Sequence, residues 1–383
     1  MPTKIHFGNK SFEKLESIVK EYDLASIFLI TGKNFTKKTK LYERTLNLLK
    51  NYNVFVYDRV NPVPKLEEVN EALKTARLNN ASLIIGLGGG SVLDTAKIIS
   101  VMIGNEENLL DYSNDKKIKN KRPLIAIPTT SGTGSEVTPF AAIYHKNKKK
   151  SFGSIKDYLF YPDHAIVDPE LTFTMPIRLT ASSGLDALSQ AVESYWSINS
   201  NPLSDTHAVQ AIKLILENLD YSYKRINDID SKFNMSKASL ESGLAFSQTA
   251  TTAPHSVSYP MTTYFNLDHG FACALTLPEF LLYNYNVNEE DCLEKRGYKF
   301  ARKKLDDLCL NLGVLDVIDL YKRIKKLMQS INAPLTLSEA GINNIRIILE
   351  EGFNPERMNN NPRKVTRESL NRILEKIKQT KSI

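Results

Sequence analysis

Asp186 and Gln190 stand four apart in SSGLDALSQAVESYWS (182–197), a run that reads as a helix, so both side chains leave one face. An acidic residue followed at that spacing by histidine would be half of a metal site; here the second position is an amide. His255 and His269, fourteen apart in TTAPHSVSYPMTTYFNLDHGFACALTLPEF (251–280), add two imidazoles. Each residue alone is more ordinarily a packed or surface side chain. Together they offer one carboxylate, one amide oxygen and two imidazoles, a mixed set suited to a divalent transition ion. His6, His145, His164 and His207 have no such company and read as structural or exposed.

Two further segments carry a different chemistry. GLGGGSVLDTAK (86–97) follows the apolar run SLII and leads into a helix. Gly88, Gly89 and Gly90 let backbone approach a phosphate, Ser91 offers a hydroxyl and an amide, and the helix start adds its positive dipole end. Asp94 suits the first turn of that helix, and Lys97 is placed to turn back toward an anion. The spacing is not the G-x-G-x-x-G fingerprint. PTTSGTGSEVTPFAAI (128–143), dominated at its start by Thr, Ser and Gly, follows the run LIAI. Such a segment lines a polar crevice at a strand's carboxyl end, and two of them in one half of a chain point to a dinucleotide site.

The elements that must hold these loops alternate. Runs 26–32, 53–60, 81–90 and 123–130 read as strands, with 164–171 a further one, and 11–21, 37–51, 65–79 and 91–103 read as helices. This alternation predicts a doubly wound, mostly parallel sheet with helices on both faces, over residues 1–176. Beyond Pro176 the texture changes, and helical patterns over 179–197, 203–219, 233–249, 271–286, 294–312, 315–332, 337–351 and 366–379 predict an all-α domain spanning 177–383.

The 383 residues suffice for about two domains, and 42% hydrophobic with 24% charged content is ordinary for a soluble protein. No apolar run approaches the ~20 residues that span a bilayer, and the N-terminus lacks a signal peptide's apolar stretch. We therefore expect no membrane partner and a cytoplasmic location. Cys273, Cys292 and Cys309, odd in number and unclustered, fit reduced thiols. The net charge of +7 comes with a lysine run at 146–150 that reads as a solvated loop. No basic stripe interleaved with aromatics is present, so nucleic acid is not the expected partner. A modest positive field suits an anionic small substrate.

GGGSVLDTAK, PTTSGTGSEVTPFA, SGLDALSQAVESYWS, HGFACALTLP and the late NNPRKVT (360–366), in this order over nearly the whole chain, resemble the iron-dependent (group III) alcohol dehydrogenase family. The resemblance implies that family's fold, shared with dehydroquinate synthase, as well as NADPH or NADH, one divalent metal (Fe²⁺ or Zn²⁺) and a dimeric homo-oligomer. It implies nucleotide contacts at Gly32, Gly89, Gly90, Ser91, Asp94, Thr129, Thr130 and Ser131, and a lysine near the nicotinamide ribose at Lys150. Asp186, His255 and His269 match three of the family's four metal ligands. Two positions depart from it: Gln190 stands where the family has histidine, and Tyr259 where another histidine lies near the nicotinamide.

These departures, with TTAPHSVSYP, resemble the branch that reduces phosphonoacetaldehyde to 2-hydroxyethylphosphonate. On that reading the metal ligands are Asp186, Gln190, His255 and His269, Tyr259 and Lys150 are catalytic, and Arg363 and Asn361 contact the phosphonate. Lys33 after the FLITG run, in place of an acidic residue, favours NADPH. A general reductase of small aldehydes, a dehydroquinate synthase-like lyase and a metal-free binding protein are the competing expectations.

Overall fold

A computed structural model describes residues 2–22, 26–33, 40–62, 64–105, 120–144 and 152–378, with side chains left out for 152–155. The chain divides into two compact units, one of residues 1–130 and 134–174, the other of 131–133 and 175–383.

In the first unit six strands form one sheet: β1 (Lys4–Phe7), β2 (Ile27–Gly32), β3 (Val54–Val60), β4 (Leu83–Gly88), β5 (Leu124–Pro128) and β8 (His164–Val167). Their order is β1-β8-β5-β4-β2-β3 and every pairing is parallel. The central strands are apolar on both faces, as a sheet covered on both sides requires. Phe28, Ile30 and Ile84 pack on α3 (Leu66–Leu78) and α4 (Gly90–Met102). The alternate residues Ile27, Leu29, Leu83 and Ile85 pack with Phe12 and with Leu15 and Ile18 of α1 (Leu15–Val19). Helix α2 (Lys40–Leu48) joins β2 to β3. The doubly wound expectation holds. Two elements were absent from it: the edge strand β1, too short and exposed to show a pattern, and an antiparallel pair, β6 (Phe140–Tyr144) with β7 (Phe152–Lys156).

The order of strands fixes where a ligand goes. From β2 the chain crosses outward to β3, whereas from β4 it crosses the other way to β5. The adjacent carboxyl ends of β2 and β4 are therefore the switch point, where doubly wound sheets bind ligands. Gly32 and Gly88–Gly90 lie there.

The second unit is helical: α5 (Ile177–Trp196), α6 (Pro202–Lys224), α7 (Ile229–Thr249), α8 (Ala253–Phe265), α9 (His269–Tyr285), α10 (Tyr298–Leu312), α11 (Val317–Ser330), α12 (Arg346–Glu351), α13 (Pro355–Met358) and α14 (Arg367–Lys376). Among the described residues its only β pairing is an isolated bridge between Cys292 and Arg363. None of the described helices is long and apolar enough to cross a membrane. Sequence periodicity did not show α8, which carries Pro254 in its first turn and Pro260 inside. It overextended α12, because residues 337–341 are turns, with Gly341 at φ +74°, and 342–345 have no regular structure.

Close packing in the first unit is set by Gly86 of β4. A β-carbon there would lie 2.8 Å from Ala96 Cβ and 3.3 Å from Leu93 Cδ2 on α4. Gly86→Ala is expected to lower stability by about 1–3 kcal/mol. In denaturant unfolding, the second change Ala96→Gly should recover part of that loss, limited by about 1 kcal/mol of helix propensity.

Candidate active site

Helix α5 presents Asp186, Gln190 and Glu193 at i, i+4 and i+7, hence on one face. All three are buried. His255 sits in the first turn of α8, while α9 opens with His269 and turns once to Cys273. Four donor atoms, from Asp186, His255, His269 and Cys273, lie within 4.8 Å of one another. Asp186 Oδ1 is 3.3 Å from His255 Nε2 and 3.8 Å from His269 Nε2, and Cys273 Sγ is 3.7 Å from His269 Nε2. A tetrahedral ion with bonds of about 2.0–2.3 Å has ligand–ligand edges of about 3.3–3.7 Å. Asp186 Oδ1 is moreover buried without a hydrogen-bond partner, a costly state unless a cation occupies the group. The residues present therefore fit a divalent metal.

Hydrogen bonds orient both imidazoles. Glu193, fully buried, accepts from His255 Nδ1 through Oε1. Through Oε2 it accepts from the Thr252 amide at 2.7 Å and the Thr252 hydroxyl at 2.9 Å. A carboxylate that only accepts requires the His255 proton on Nδ1, which leaves the Nε2 lone pair facing Asp186. Ser258 Oγ spends its one proton on His255 O at 2.8 Å, so toward His269 Nδ1 it can only accept, weakly at 3.5 Å. That again leaves Nε2 directed into the cluster. The side chain of His269 is 36% exposed, against 5% for His255 and 7% for Asp186, so the cluster opens to solvent past His269.

Burial opposes protonation of both histidines, yet acidic neighbours outweigh it. Cys273, Glu193 and Asp186 hold His255 well above its usual range, and Cys273 and Asp186 raise His269. Burial pushes the Cys273 thiol up, but the two imidazoles bring it below its ordinary value overall. The group as a whole attracts a cation, and a proton competes with a metal for it.

Gln190 lies one turn from Asp186, and its Oε1 accepts from Ser242 Oγ at 3.1 Å; a second lone pair remains on that oxygen. The ring of Tyr259 stacks on His269, with centroids 5.8 Å apart and planes at 17°. Burial raises the Tyr259 hydroxyl above its ordinary value, which makes it a weaker acid near neutrality.

In the first unit, Gly89 caps α4 without a side chain, and a β-carbon on it would just touch Thr130 at 3.4 Å. The Ser91 hydroxyl donates to Pro62 O, and Thr129 N donates to Gly88 O at 3.0 Å, which ties the second loop to the end of β4. Asp94 accepts from Ser135 Oγ at 2.6 Å and Ala142 N at 2.9 Å, so its carboxylate braces the loop. Lys97 does not turn toward an anion at the loop. It is fully buried, donating to Phe140 O at 2.8 Å and Thr138 Oγ1 at 3.1 Å, and burial lowers its pKa to about 8. Ser131 belongs to the helical unit, where its hydroxyl pairs with Ser236 at 3.0 Å. Lys33 is exposed just after β2. Lys150 lies outside the described residues.

The expectation for Arg363 and Asn361 is corrected. Arg363 donates to Asp291 at 2.6 Å and to Tyr283 O at 3.0 Å, and Asn361, fully buried, pairs with Asn284. Tyr283 is fourteen residues along α9 from His269, roughly 21 Å at 1.5 Å per residue. No two-carbon substrate touches both ends.

Cys273 and Glu193 were absent from the sequence reading. The signals that point to them are spacings: Cys273 follows His269 by four residues, and Glu193 continues the Asp186/Gln190 face by one more turn.

A parallel sheet with glycine loops at its switch point and a helical unit with an O/N/N/S donor cluster define a nicotinamide-linked, metal-dependent oxidoreductase. The family profile described as iron-containing alcohol dehydrogenase matches residues 2–169, and the C-terminal profile of the Fe-containing alcohol dehydrogenase family matches 180–378. An NADPH-dependent butanol dehydrogenase of Clostridium saccharobutylicum is 31% identical over 98% of this chain and 96% of its own. A sulfoacetaldehyde reductase of Bilophila wadsworthia is 30% identical over 84% of this chain and 83% of its own. The crystal structure of sulfoacetaldehyde reductase from Bifidobacterium kashiwanohense, in complex with NAD⁺, superposes with a TM-score of 0.87 at 28% identity, covering 99% of this chain and 98% of that one. The chain belongs to the iron-containing alcohol dehydrogenase family and is an NAD(P)-dependent alcohol dehydrogenase or aldehyde reductase.

Glu193→Gln should weaken metal binding about 10–100-fold, read by chelator competition, with the fold retained. Gly270, between His269 and the rest of α9, is a harder constraint. A β-carbon there would lie 1.8 Å from Ser182 O and 2.9 Å from Asp186 N. Gly270→Ala should therefore push α9 off α5, lowering both the melting temperature and the bound metal measured by elemental analysis.

Proposed function

We propose that this enzyme reduces phosphonoacetaldehyde to 2-hydroxyethylphosphonate with NADPH. The observation that carries the reading is the pair Gln190 and Tyr259 standing where the family has histidines, the pattern that resembles the phosphonoacetaldehyde-reducing branch. The similarity to reductases named for sulfoacetaldehyde, also a two-carbon aldehyde with a tetrahedral anion, supports an anionic substrate. The charge of +7 favours the encounter.

The chain's residues divide the work. Gly32, Gly89, Gly90, Ser91, Thr129 and Thr130 would bind the dinucleotide at the switch point, where α4 directs its N-terminal amides at the pyrophosphate. The nicotinamide supplies the hydride. Asp186, His255, His269 and Cys273, with Gln190 beside them, would hold the metal, which supplies Lewis acidity to a carbonyl oxygen and its developing alkoxide. Glu193 keeps His255 in the tautomer that ligates. Tyr259 keeps the exposed His269 ring in plane rather than acting as the acid. The half-exposed His269 leaves the cluster open to solvent, which would supply the proton to the product oxygen.

The test is NADPH oxidation by Fe²⁺- or Zn²⁺-loaded protein over a panel of aldehydes. Phosphonoacetaldehyde is expected to give a kcat/KM at least about tenfold above butyraldehyde, a difference of about 1.4 kcal/mol. Equal or better use of butyraldehyde would overturn the substrate assignment and leave the family intact. A second expectation concerns pH: because His255 and His269 are held above their usual range, metal binding should release protons and tighten as pH rises from 6 to 8. Calorimetry in buffers of different ionisation enthalpy reads that release.

A further inference from the structure

We propose that Arg357 determines substrate specificity by binding the anionic head group of the aldehyde, a role that rests on the phosphonoacetaldehyde reading above. Its guanidinium carbon lies 5.2 Å from the centre of the Tyr259 ring, over its face, and Tyr259 in turn stacks on His269 at 5.8 Å. Imidazole, phenol and guanidinium thus follow one another outward from the donor cluster.

Arg357 is distinguished by place and charge together: like Arg77, Arg122, Arg225, Arg302 and Arg367 it forms no ion pair among the described residues, and of these it is the one over the ring that stacks on His269. Arg44, Arg59, Arg178, Arg296 and Arg363 each pair with a carboxylate. Arg357 donates to the hydroxyl of Thr251 and, among the described residues, forms no ion pair. A half-buried guanidinium that keeps most of its five donors, held in plane by an aromatic face, is prepared for a planar, bidentate contact to an oxyanion. Thr251 is itself fixed, since it directly precedes Thr252, whose amide and hydroxyl bind Glu193. The same short segment therefore positions His255 and Arg357.

The reach is consistent. The two ring separations bound Arg357 Cζ to within about 11 Å of the His269 ring centre. In a two-carbon aldehyde the carbonyl oxygen and the anionic oxygens are roughly 4–5 Å apart, and a charge-assisted hydrogen bond adds about 2.8 Å. An aldehyde with its carbonyl at the donor cluster would present its phosphonate or sulfonate to Arg357, while an uncharged chain would find no partner there.

The experiment compares wild type, Arg357→Gln and Arg357→Lys on phosphonoacetaldehyde, sulfoacetaldehyde and propionaldehyde, with metal content and melting temperature measured for each. Arg357→Gln should raise KM for both anionic aldehydes about 10–100-fold with kcat little changed, leave propionaldehyde unaltered, and weaken phosphonoacetate binding in calorimetry by a similar factor. Arg357→Lys should fall between. An equal loss on all three aldehydes would show a merely structural residue and overturn the proposal. So would unaltered KM for the anionic pair in a wild-type background that prefers them, although the substrate reading would then survive. A wild type that prefers propionaldehyde would overturn that reading and this inference with it.

Discussion

The buried carboxylate of Glu193 is the contact on which the helical unit's chemistry depends. It gathers the Thr252 amide, the Thr252 hydroxyl and His255 Nδ1 onto two oxygens, joining α5 to the start of α8. A fully buried carboxylate is tolerable only when its lone pairs are occupied, so these contacts are mutually obligatory. With His255 fixed in rotation and tautomer, Asp186, two turns back from Glu193 on the same face of α5, has a defined place to direct an oxygen. The close approach of Gly270 to the α5 backbone then brings His269 and Cys273 within range. Three helices are in this way held to a single small volume by one acid and one missing side chain.

The first unit solves a different problem with similar economy. Its sheet reverses winding direction between β2 and β4, and at that reversal the chain uses residues without side chains. The loops are braced from behind: Asp94 holds Ser135 and Ala142, and buried Lys97 holds the strand β6. Asp94, and Lys97 whose cation the sequence places to meet an anion, thus act as internal struts. Glycine-rich turns at helix starts in general meet anions through backbone amides, and the loop after β4 has that form.

Much of this architecture was legible in the sequence. Parallel strands buried on both faces are continuous apolar runs, and long helices show their period, so β2, β4, β5 and α3 to α7 were visible with modest errors at their ends. What escaped lacks such a period. The strand Lys4–Phe7 is a short edge, α8 contains two prolines, and 337–345 mimics a helix by composition while turning at Gly341. Within the site, His255 and His269 were legible because the chain has only six histidines, and Asp186 because its motif is distinctive. Cys273 and Glu193 were not, since a lone thiol and a helical glutamate are common, and their meaning arises only when three helices converge. Arg363 failed for the opposite reason: a motif near the end of the chain gave no measure of its distance along α9.

One consequence concerns Trp196, the chain's single tryptophan. Its indole Nε1 donates to Thr252 Oγ1 at 2.8 Å, and the same hydroxyl donates to Glu193. The only strong fluorophore of the protein is therefore wired, through two hydrogen bonds, to the acid that orients His255. Its emission is a built-in optical gauge of that buried network, readable without a label and without turnover.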